Sequence, residues 1–286
     1  MKAAAFDYTR ASSVEVAIDL LSQHAGGAQI LAGGQSLMAM MNLRLAQPEM
    51  LIDISGIDSL KRISLEGQVL SIGALVTHHA LMTSDLVSRH VPLLAQAVPH
   101  VAHLAIRNVG TIGGSLALAD PAAEYPAVAL ALGATIVAQG PKGQRRMAIA
   151  QYFQGLYQTA LQPDELLVAV EFPLAQAGQV FHFDELSRRR GDYAMVGLAC
   201  ALNLQGAQVQ AARLALLAVG DGPVLAQHAM AALQGQPLDA ASIQLAQQAL
   251  GQDLSPNGDL QADPATKIHL ARVLLGRALN ALRSAS

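Results

Sequence analysis

Cysteine is almost absent from this chain, which has 286 residues and the single cysteine Cys200. One cysteine cannot close a disulfide within the chain, and it cannot supply the several thiolates that hold an iron–sulfur cluster. Any iron–sulfur cluster that takes part in the chemistry of this protein must therefore belong to a partner.

Charged residues and long apolar runs are also scarce. Charged residues make up 14% of the chain and the formal net charge is −3, so the basic surface typical of a nucleic-acid-binding protein is missing. No apolar run reaches the roughly 20 residues that cross a bilayer. Asp7 interrupts the N-terminal apolar stretch where a secretory signal would continue. We therefore expect a soluble, cytoplasmic protein without a membrane span and without nucleic-acid partners.

The first part of the chain mixes helical and strand patterns. Ser12 and Glu15 have the spacing of a capping box before an apolar-periodic helix. A strand at 29–32, a helix at 36–45 and a strand at 50–54 then predict a small β-α-β unit. Further alternation predicts two hairpins and another strand, at 62–74, 134–150 and 164–173.

The pattern changes after Pro173. Three long strands are predicted at 180–187, 194–204 and 209–219, and helices follow, the last of which begins at Asp263. We predict a mixed α+β region followed by a smaller sheet-and-helix domain. The predicted limits are 1–176, with subdomains of about 1–56 and 57–176, and 177–286.

Two loops in the first region contain a pair of adjacent glycines. The first glycine loop is Ala32, Gly33, Gly34, Gln35 and Ser36, and the second glycine loop is Thr111, Ile112, Gly113, Gly114 and Ser115. Such loops present backbone N–H groups to anionic oxygens, and a helix that begins there adds a favourable potential. About four to six such hydrogen bonds, each worth roughly 1.5 to 3 kcal/mol, would hold a pyrophosphate without lysine or arginine.

Each glycine pair on its own is equally typical of an ordinary tight turn. Neither loop matches the G-x-G-x-x-G pattern of ordinary dinucleotide sites or the G-x-x-x-x-G-K-[ST] pattern of P-loops. The two loops nevertheless share an apolar lead-in and small hydroxyl or amide residues. This match favours a single ligand held from two sides.

Three longer motifs contain or follow these loops. They read LAGGQSLMAMMNLRLAQPEMLIDIS, IRNVGTIGGSLALADPAAEYPAVALALGA and RRRGDYAMVGLA, and together they resemble the FAD-binding medium subunit of the molybdenum hydroxylases. The resemblance covers nearly the whole chain. It implies an α+β fold of the vanillyl-alcohol-oxidase (PCMH) type, in which two α+β subdomains bind FAD. A C-terminal domain with a three-stranded antiparallel sheet and helices would follow.

The resemblance also implies a cofactor and partners. FAD would be bound noncovalently, because neither glycine loop contains a histidine that could bond to it. A large subunit would carry the molybdenum cofactor and a small subunit two [2Fe-2S] clusters, in an (αβγ)2 assembly. FAD in this chain would pass electrons from the clusters to an external acceptor.

Individual site residues follow from the resemblance by position. The two glycine loops would bind the pyrophosphate. Glu124 would lie against the flavin or its ribityl chain, Leu167 would contact the ring, and Tyr193 would shield one face of the isoalloxazine. Gln35 and Ser115 stand where many relatives have histidine and asparagine, but both can still donate to a phosphate oxygen.

The remaining polar residues suggest no second site. Glu185 stands where some relatives carry lysine, so a positive charge that would stabilise an anionic reduced flavin is missing. His78 and His79 are expected on the surface at a helix start, and His100 and His103 lack a third ligand for a metal. Neither a catalytic triad nor a metal site is predicted. Core packing is expected for the aromatic residues Tyr152, Phe153 and Tyr157, and stacking on a flavin or an adenine is the less favoured alternative.

Two other functions fit the same fold. One is a self-sufficient flavin oxidase with its own substrate pocket, against which the absence of a recognisable substrate domain argues. The other is a noncatalytic nucleotide-binding scaffold, which would keep the fold without redox turnover.

Overall fold

Three parallel strands near the N-terminus carry the first glycine loop. The computed structural model describes residues 2–24 and 26–285, so the predicted outer limits Met1 and Ser286 lie outside the described residues. Helices α1 (Val14–Gln23) and α2 (Leu37–Asn42) connect the strands. The strands are β1 (Asp7–Arg10), β2 (Ala28–Leu31) and β3 (Met50–Asp53), and they pair in the order β1-β3-β2. This topology confirms the predicted β-α-β unit.

Two helix boundaries differ from the prediction. The N-cap of α1 is Ser13 and not Ser12, because Ser13 is extended and its Oγ accepts a hydrogen bond of 3.3 Å from Val16 N. Helix α2 ends at Asn42, earlier than predicted. Arg44 adopts a left-handed φ of 59°, and this conformation cannot continue a right-handed helix.

An antiparallel sheet forms the body of the next region. Its strands and a small separate hairpin are β4 (Ile63–Glu66), β5 (Val69–Gly73), β6 (Thr135–Gly140), β7 (Gly143–Ala148), β8 (Phe153–Gly155), β9 (Gln158–Thr159) and β10 (Leu166–Pro173). The five-stranded sheet has the order β4-β5-β10-β6-β7, while β8 pairs with β9. Both predicted hairpins and the predicted third strand are therefore confirmed.

Six helices lie between β5 and β6 in the chain. They are α3 (His78–Met82), α4 (Asp85–His90), α5 (Pro92–Ala97), α6 (Leu104–Arg107), α7 (Ile112–Leu118) and α8 (Glu124–Leu132). The second glycine loop forms the start of α7, since Thr111 is its N-cap. Helix α8 is apolar on all sides, and residues 125–131 are all buried. A helix of this kind belongs in the interior of a domain.

The C-terminal region contains a four-stranded antiparallel sheet. Its strands are β11 (Gln179–Leu186), β12 (Val196–Gln205), β13 (Gln208–Leu217) and β14 (Val224–Leu225), in that order. The three long strands were predicted, and the two-residue β14 adds a fourth. The helices are α9 (Gln227–Leu233), α10 (Ala240–Ala249) and α11 (Pro264–Ala285). Although α11 has 22 residues, no helix in the described part of the chain is long and apolar enough to cross a bilayer.

This C-terminal sheet is buried on both faces. On β12, Leu198 and Cys200 pack into the same apolar cluster as α9 to α11. Ala199 of β12 and Ala215 of β13 point the other way and join the cluster that contains α8. Small side chains on that face let α8 approach the sheet closely. Arg213 of β13 also donates to two carbonyl oxygens at the C-terminal end of α8, so α8 is held firmly in place.

Candidate functional site

The two glycine loops contact each other in the structure. A methyl group added at Gly33 would overlap the carbonyl oxygen of Val109 and would stand 2.8 Å from Gly110 Cα. A methyl group at Gly114 would stand 4.0 Å from the Cβ of Ala32. Gly33 is therefore required by the approach of the backbone that leads into the second loop, and Gly114 borders the space between the loops.

The first glycine loop has open backbone amides. Within residues 2–24 and 26–285, the amide groups of Gly33, Gly34, Gln35 and Ser36 donate to no protein acceptor. Ser36 is the N-cap of α2 but its side chain makes no capping hydrogen bond. The Gln35 side chain donates from Nε2 to the carbonyl oxygen of Gly33 at 2.9 Å, and Gly34 has a φ of 67°. The loop is thus a closed turn whose amides are free to bind an anion.

The second glycine loop uses its amides internally. Ile112 N and Gly113 N donate at 3.0 Å to the carbonyl oxygens of Val76 and Ala74. The next two amides of the loop donate to Oγ1 and to the carbonyl oxygen of Thr111, at 3.1 Å each. The expectation of open amides therefore holds for the first loop and not for the second. The second loop is a rigid wall, because its backbone is tied to the segment before α3.

Two acidic side chains lie near each other, Glu124 at the start of α8 and Glu185 on β11. Glu124 is the first residue of α8, and burial, reinforced by the nearby carboxylate of Glu185, raises its pKa to about 8. The side chain of Glu185 is 4% exposed, its Oε1 is 3.5 Å from His100 Nδ1, and its Oε2 has no partner in the described structure. A carboxyl group that is buried beside another acidic residue is costly to ionise. At neutral pH Glu124 therefore keeps its proton.

Two of the exposed tyrosines, Tyr157 and Tyr193, lie near the same carboxyl group, that of Asp120. Tyr193 is 59% exposed and Tyr157 is 54% exposed, whereas Tyr152 is fully buried as predicted. The pKa of Tyr193 is raised by partial burial of its hydroxyl and by the charges of Asp120 and then Tyr157. The pKa of Tyr157 is also raised, first by partial burial and second by the charge of Asp120. The prediction that Tyr157 lies in the core was wrong, and sequence reasoning missed it as a neighbour of Tyr193.

Tyr157 escapes the core because of its backbone. It has a left-handed φ of 55° and lies in the short turn between β8 and β9. Connecting segments of this kind run over the surface of a protein, so their side chains are exposed to solvent. Aromatic residues are only 3% of this chain. Two exposed tyrosines around one buried carboxyl, Asp120, therefore form a surface suited to a planar ligand.

Leu167 lies apart from this exposed surface. It is 3% exposed, pairs opposite Ala138 in the sheet formed by β10 and β6, and belongs to the largest apolar cluster. A β-bulge follows it, between Leu167 and Ala169. Its contact with a flavin ring remains a prediction.

His78 differs most from expectation. It was expected on the surface with His79, but it is 5% exposed while His79 is exposed. Burial, together with the neighbouring Arg107 guanidinium, lowers the pKa of His78 to about 4. Its Nδ1 shares a hydrogen bond of 3.0 Å with the Oη of Tyr125. The local pattern placed His78 at a helix start, and only the tertiary fold covers it.

Comparison with known proteins agrees with this architecture. The family described as "FAD binding domain in molybdopterin dehydrogenase" matches residues 4–175, and the family described as "CO dehydrogenase flavoprotein C-terminal domain" matches residues 181–282. The 6-hydroxypseudooxynicotine dehydrogenase complex subunit alpha of Paenarthrobacter nicotinovorans is 38% identical over 280 residues, which are 98% of this chain and 95% of that protein. The carbon monoxide dehydrogenase medium chain of Hydrogenophaga pseudoflava is 36% identical over 96% of both chains.

Solved structures show the same likeness. A chain of carbon monoxide dehydrogenase from Hydrogenophaga pseudoflava superposes with a TM-score of 0.96 and 38% identity over 98% of both chains. A chain of quinoline 2-oxidoreductase from Pseudomonas putida 86 gives a TM-score of 0.95 and 36% identity, covering 100% of this chain and 99% of the other. The α+β, PCMH-type fold predicted from the sequence is thereby confirmed. The chain belongs to the family of FAD-binding medium subunits of the molybdenum hydroxylases.

Proposed function

We propose that this chain binds FAD noncovalently between its two glycine loops and relays electrons from the [2Fe-2S] clusters of a partner subunit to an external acceptor. The observation that carries the proposal is the set of open amides at Gly33, Gly34, Gln35 and Ser36. They lie next to a loop that contains Gly114, where a side chain would fill the intervening space. Unpaired amides beside a bare glycine fit the oxygens of a pyrophosphate.

Each predicted site residue has a definite role in this proposal. The residues from Ala32 to Ser36 would bind the pyrophosphate through their amides, and those from Thr111 to Ser115 would form the opposite wall. Tyr193 would cover one face of the isoalloxazine, with Tyr157 beside it. Leu167 would contact the ring from the core. Bound FAD would supply the exchange between one-electron and two-electron carriers.

The protein's own contribution is positioning and electrostatics. Glu124 would hold a proton beside the flavin or its ribityl chain, because its pKa of about 8 keeps the carboxyl neutral at pH 7. A neutral carboxyl can donate a hydrogen bond where a carboxylate could only accept. No catalytic nucleophile is needed, since the task is to hold and tune a cofactor.

We also propose partners and a domain division. The related proteins are named as a medium chain or as a subunit of a complex, which supports a large molybdenum-cofactor subunit and a small [2Fe-2S] subunit in an (αβγ)2 assembly. A division near residue 176 into FAD-binding and C-terminal domains is supported by family matches that end at 175 and begin again at 181. A cytoplasmic location fits these partners.

Flavin content tests the central claim. The chain would be expressed alone and together with its partner subunits, and bound flavin would be measured by visible absorbance and by mass. We expect a yellow protein with one FAD per chain and no covalent adduct. A folded chain that stays colourless in both preparations and takes up no added FAD would contradict the proposal. Substrate oxidation by the yellow chain alone would instead favour a self-sufficient oxidase.

A further inference from the structure

A buried polar pair, His78 and Tyr125, joins the segment before the second glycine loop to the first turn of α8 and has no role in the proposed cofactor site so far. His78 is 5% exposed and Tyr125 is fully buried. The Nδ1 of His78 and the Oη of Tyr125 are 3.0 Å apart, and the ring centroids are 5.2 Å apart. A buried hydrogen bond of this kind fixes the relative position of the elements that carry it.

His78 is attached to the second glycine loop through its backbone and its ring. Its amide donates to the carbonyl oxygen of Gly110 at 3.0 Å, and the preceding residue, Thr77, forms an isolated β-bridge with Thr111. A methyl group added at Gly110 would stand 2.7 Å from His78 Nε2. The imidazole therefore packs directly against the backbone that leads into the second glycine loop.

Tyr125 is attached to the acidic side of the site. It directly follows Glu124 in the first turn of α8, and the N-cap of α8, Ala123, makes no side-chain capping hydrogen bond. The hydroxyl of Tyr125 thus gives this first turn a side-chain hydrogen bond to the segment that holds the second loop. The other end of α8 is already held by Arg213.

The charges around the pair keep it in one protonation state. Arg107 Nη1 donates at 2.8 Å to the carbonyl oxygens of Val101 and Ala102, so its guanidinium is fixed close by. Burial and this positive charge lower the pKa of His78, and burial raises the pKa of Tyr125 well above its usual value. Both groups are therefore neutral at physiological pH. A neutral imidazole and a neutral phenol form one hydrogen bond, in which one group donates and the other accepts.

We propose that His78 and Tyr125 are positioning residues for the cofactor site, whose hydrogen bond sets the distance between the Glu124 carboxyl and the second glycine loop. The inference rests on the proposed FAD function and extends it to two residues that do not touch the cofactor. Ordinary core packing is the competing explanation. Tyr152 separates the two, because it is also fully buried but its hydroxyl interacts with Thr159 of β9 and makes no hydrogen bond to the second glycine loop or to α8.

The test compares Tyr125→Phe with Tyr152→Phe in the full chain, with partner subunits present if they are needed to retain flavin. The dissociation constant of FAD, the visible spectrum and midpoint potential of the bound flavin, and the thermal midpoint would be measured. We expect Tyr125→Phe to raise the dissociation constant about tenfold and to shift the potential. Tyr152→Phe should leave both unchanged.

A second pair of variants guards against a simple folding defect. His78→Asn keeps a polar atom near the position of Nδ1, whereas His78→Leu does not. We expect His78→Asn to bind FAD nearly as tightly as the wild type and His78→Leu to resemble Tyr125→Phe. Equal affinity and potential in Tyr125→Phe and Tyr152→Phe, or no difference between the His78 variants, would overturn the inference. A wild-type chain that takes up no FAD would instead overturn the proposed function on which it rests.

Discussion

The two glycine loops have nearly the same composition and opposite backbone chemistry. In the first loop the amides of Gly33 to Ser36 have no acceptor in the described structure, and in the second loop Ile112 and Gly113 donate to an earlier segment. The difference comes from the neighbours. No carbonyl group accepts from the amides of the first loop, whereas the second loop runs beside the carbonyl groups of Ala74 and Val76 and donates to them. A pair of glycines therefore indicates close approach, and the fold decides what approaches.

The largest expected effect concerns Gly113, where a side chain would collide with the neighbouring backbone. A methyl group there would stand 2.5 to 2.7 Å from atoms of Ala74, and backbone cannot move aside easily. We expect Gly113→Ala to lower the free energy of unfolding by about 3 kcal/mol, as overpacking does. Urea denaturation measures this change. Gly114→Ala is the matched control, since its nearest contact is Thr111 Oγ1 at 3.0 Å, and an equal loss in both variants would remove the distinction.

The next prediction concerns the space between the loops. Gly114→Val would place a branched side chain beside Ala32, where the pyrophosphate is proposed to lie. We expect the dissociation constant of FAD to rise at least about 100-fold, or about 2.7 kcal/mol, with only a modest loss of stability. Flavin fluorescence titration measures the affinity. Retained flavin in Gly114→Val would assign the cofactor to another loop.

A smaller effect is expected from Glu124, the acidic residue that begins α8 after the second glycine loop. The helix that follows the first glycine loop has no acidic residue in its first turn. The pKa of Glu124 is raised from 4.5 to about 8 in the fold, so the folded chain binds a proton that the unfolded chain releases above pH 4.5. This contribution to stability is fully present below pH 4.5 and is lost as the pH rises to 8. We expect Glu124→Gln to become more stable than the wild type at pH 8, on the order of 2 kcal/mol after discounting for partial exposure.

Unfolding experiments at several pH values test this expectation. The stability difference between Glu124→Gln and the wild type should shrink as the pH falls from 8 to 5. Glu66→Gln, on the exposed β4–β5 hairpin, serves as a control and should show little change. A difference that does not vary with pH would mean that Glu124 is ionised in the fold.

The smallest effect concerns the closing hydrogen bond of the first loop. Gln35→Ala removes the donor to the carbonyl oxygen of Gly33, which should loosen the turn and weaken FAD binding about three- to fivefold, or roughly 1 kcal/mol. Isothermal titration with FAD measures the change. Gln47→Ala is matched to it, because Gln47 is also exposed and donates to the carbonyl oxygen of Arg44. Equal affinities in the two variants would leave Gln35 without a role.

Local periodicity explains what the sequence could predict. The β-α-β unit, both hairpins and the three long C-terminal strands follow from alternation and turn residues within short windows. The two-residue β14 is too short to leave a periodic signal. Adjacent serines made Ser12 and Ser13 nearly equivalent as caps, so the boundary was off by one residue.

Features that depend on distant segments could not be predicted. The acceptors for the second loop's amides lie on Ala74 and Val76, far earlier in the chain. His78 is buried because Gly110 and Tyr125 close over it, and nothing near His78 in the sequence announces either. The exposure of Tyr157 follows from a positive φ, which composition around a tyrosine does not indicate.

The burial of the C-terminal sheet on both faces has a consequence for protein engineering. Ala199 and Ala215 face α8 within the largest apolar cluster, so the packing of α8, which begins at Glu124, is completed by residues from the other family match. A chimaera that joined residues 1–176 to the C-terminal region of a relative would take this packing surface for α8 from its donor. Larger side chains at these two positions would displace α8, and Glu124 with it. The need for small side chains at positions 199 and 215 would therefore limit which C-terminal regions can be joined to residues 1–176.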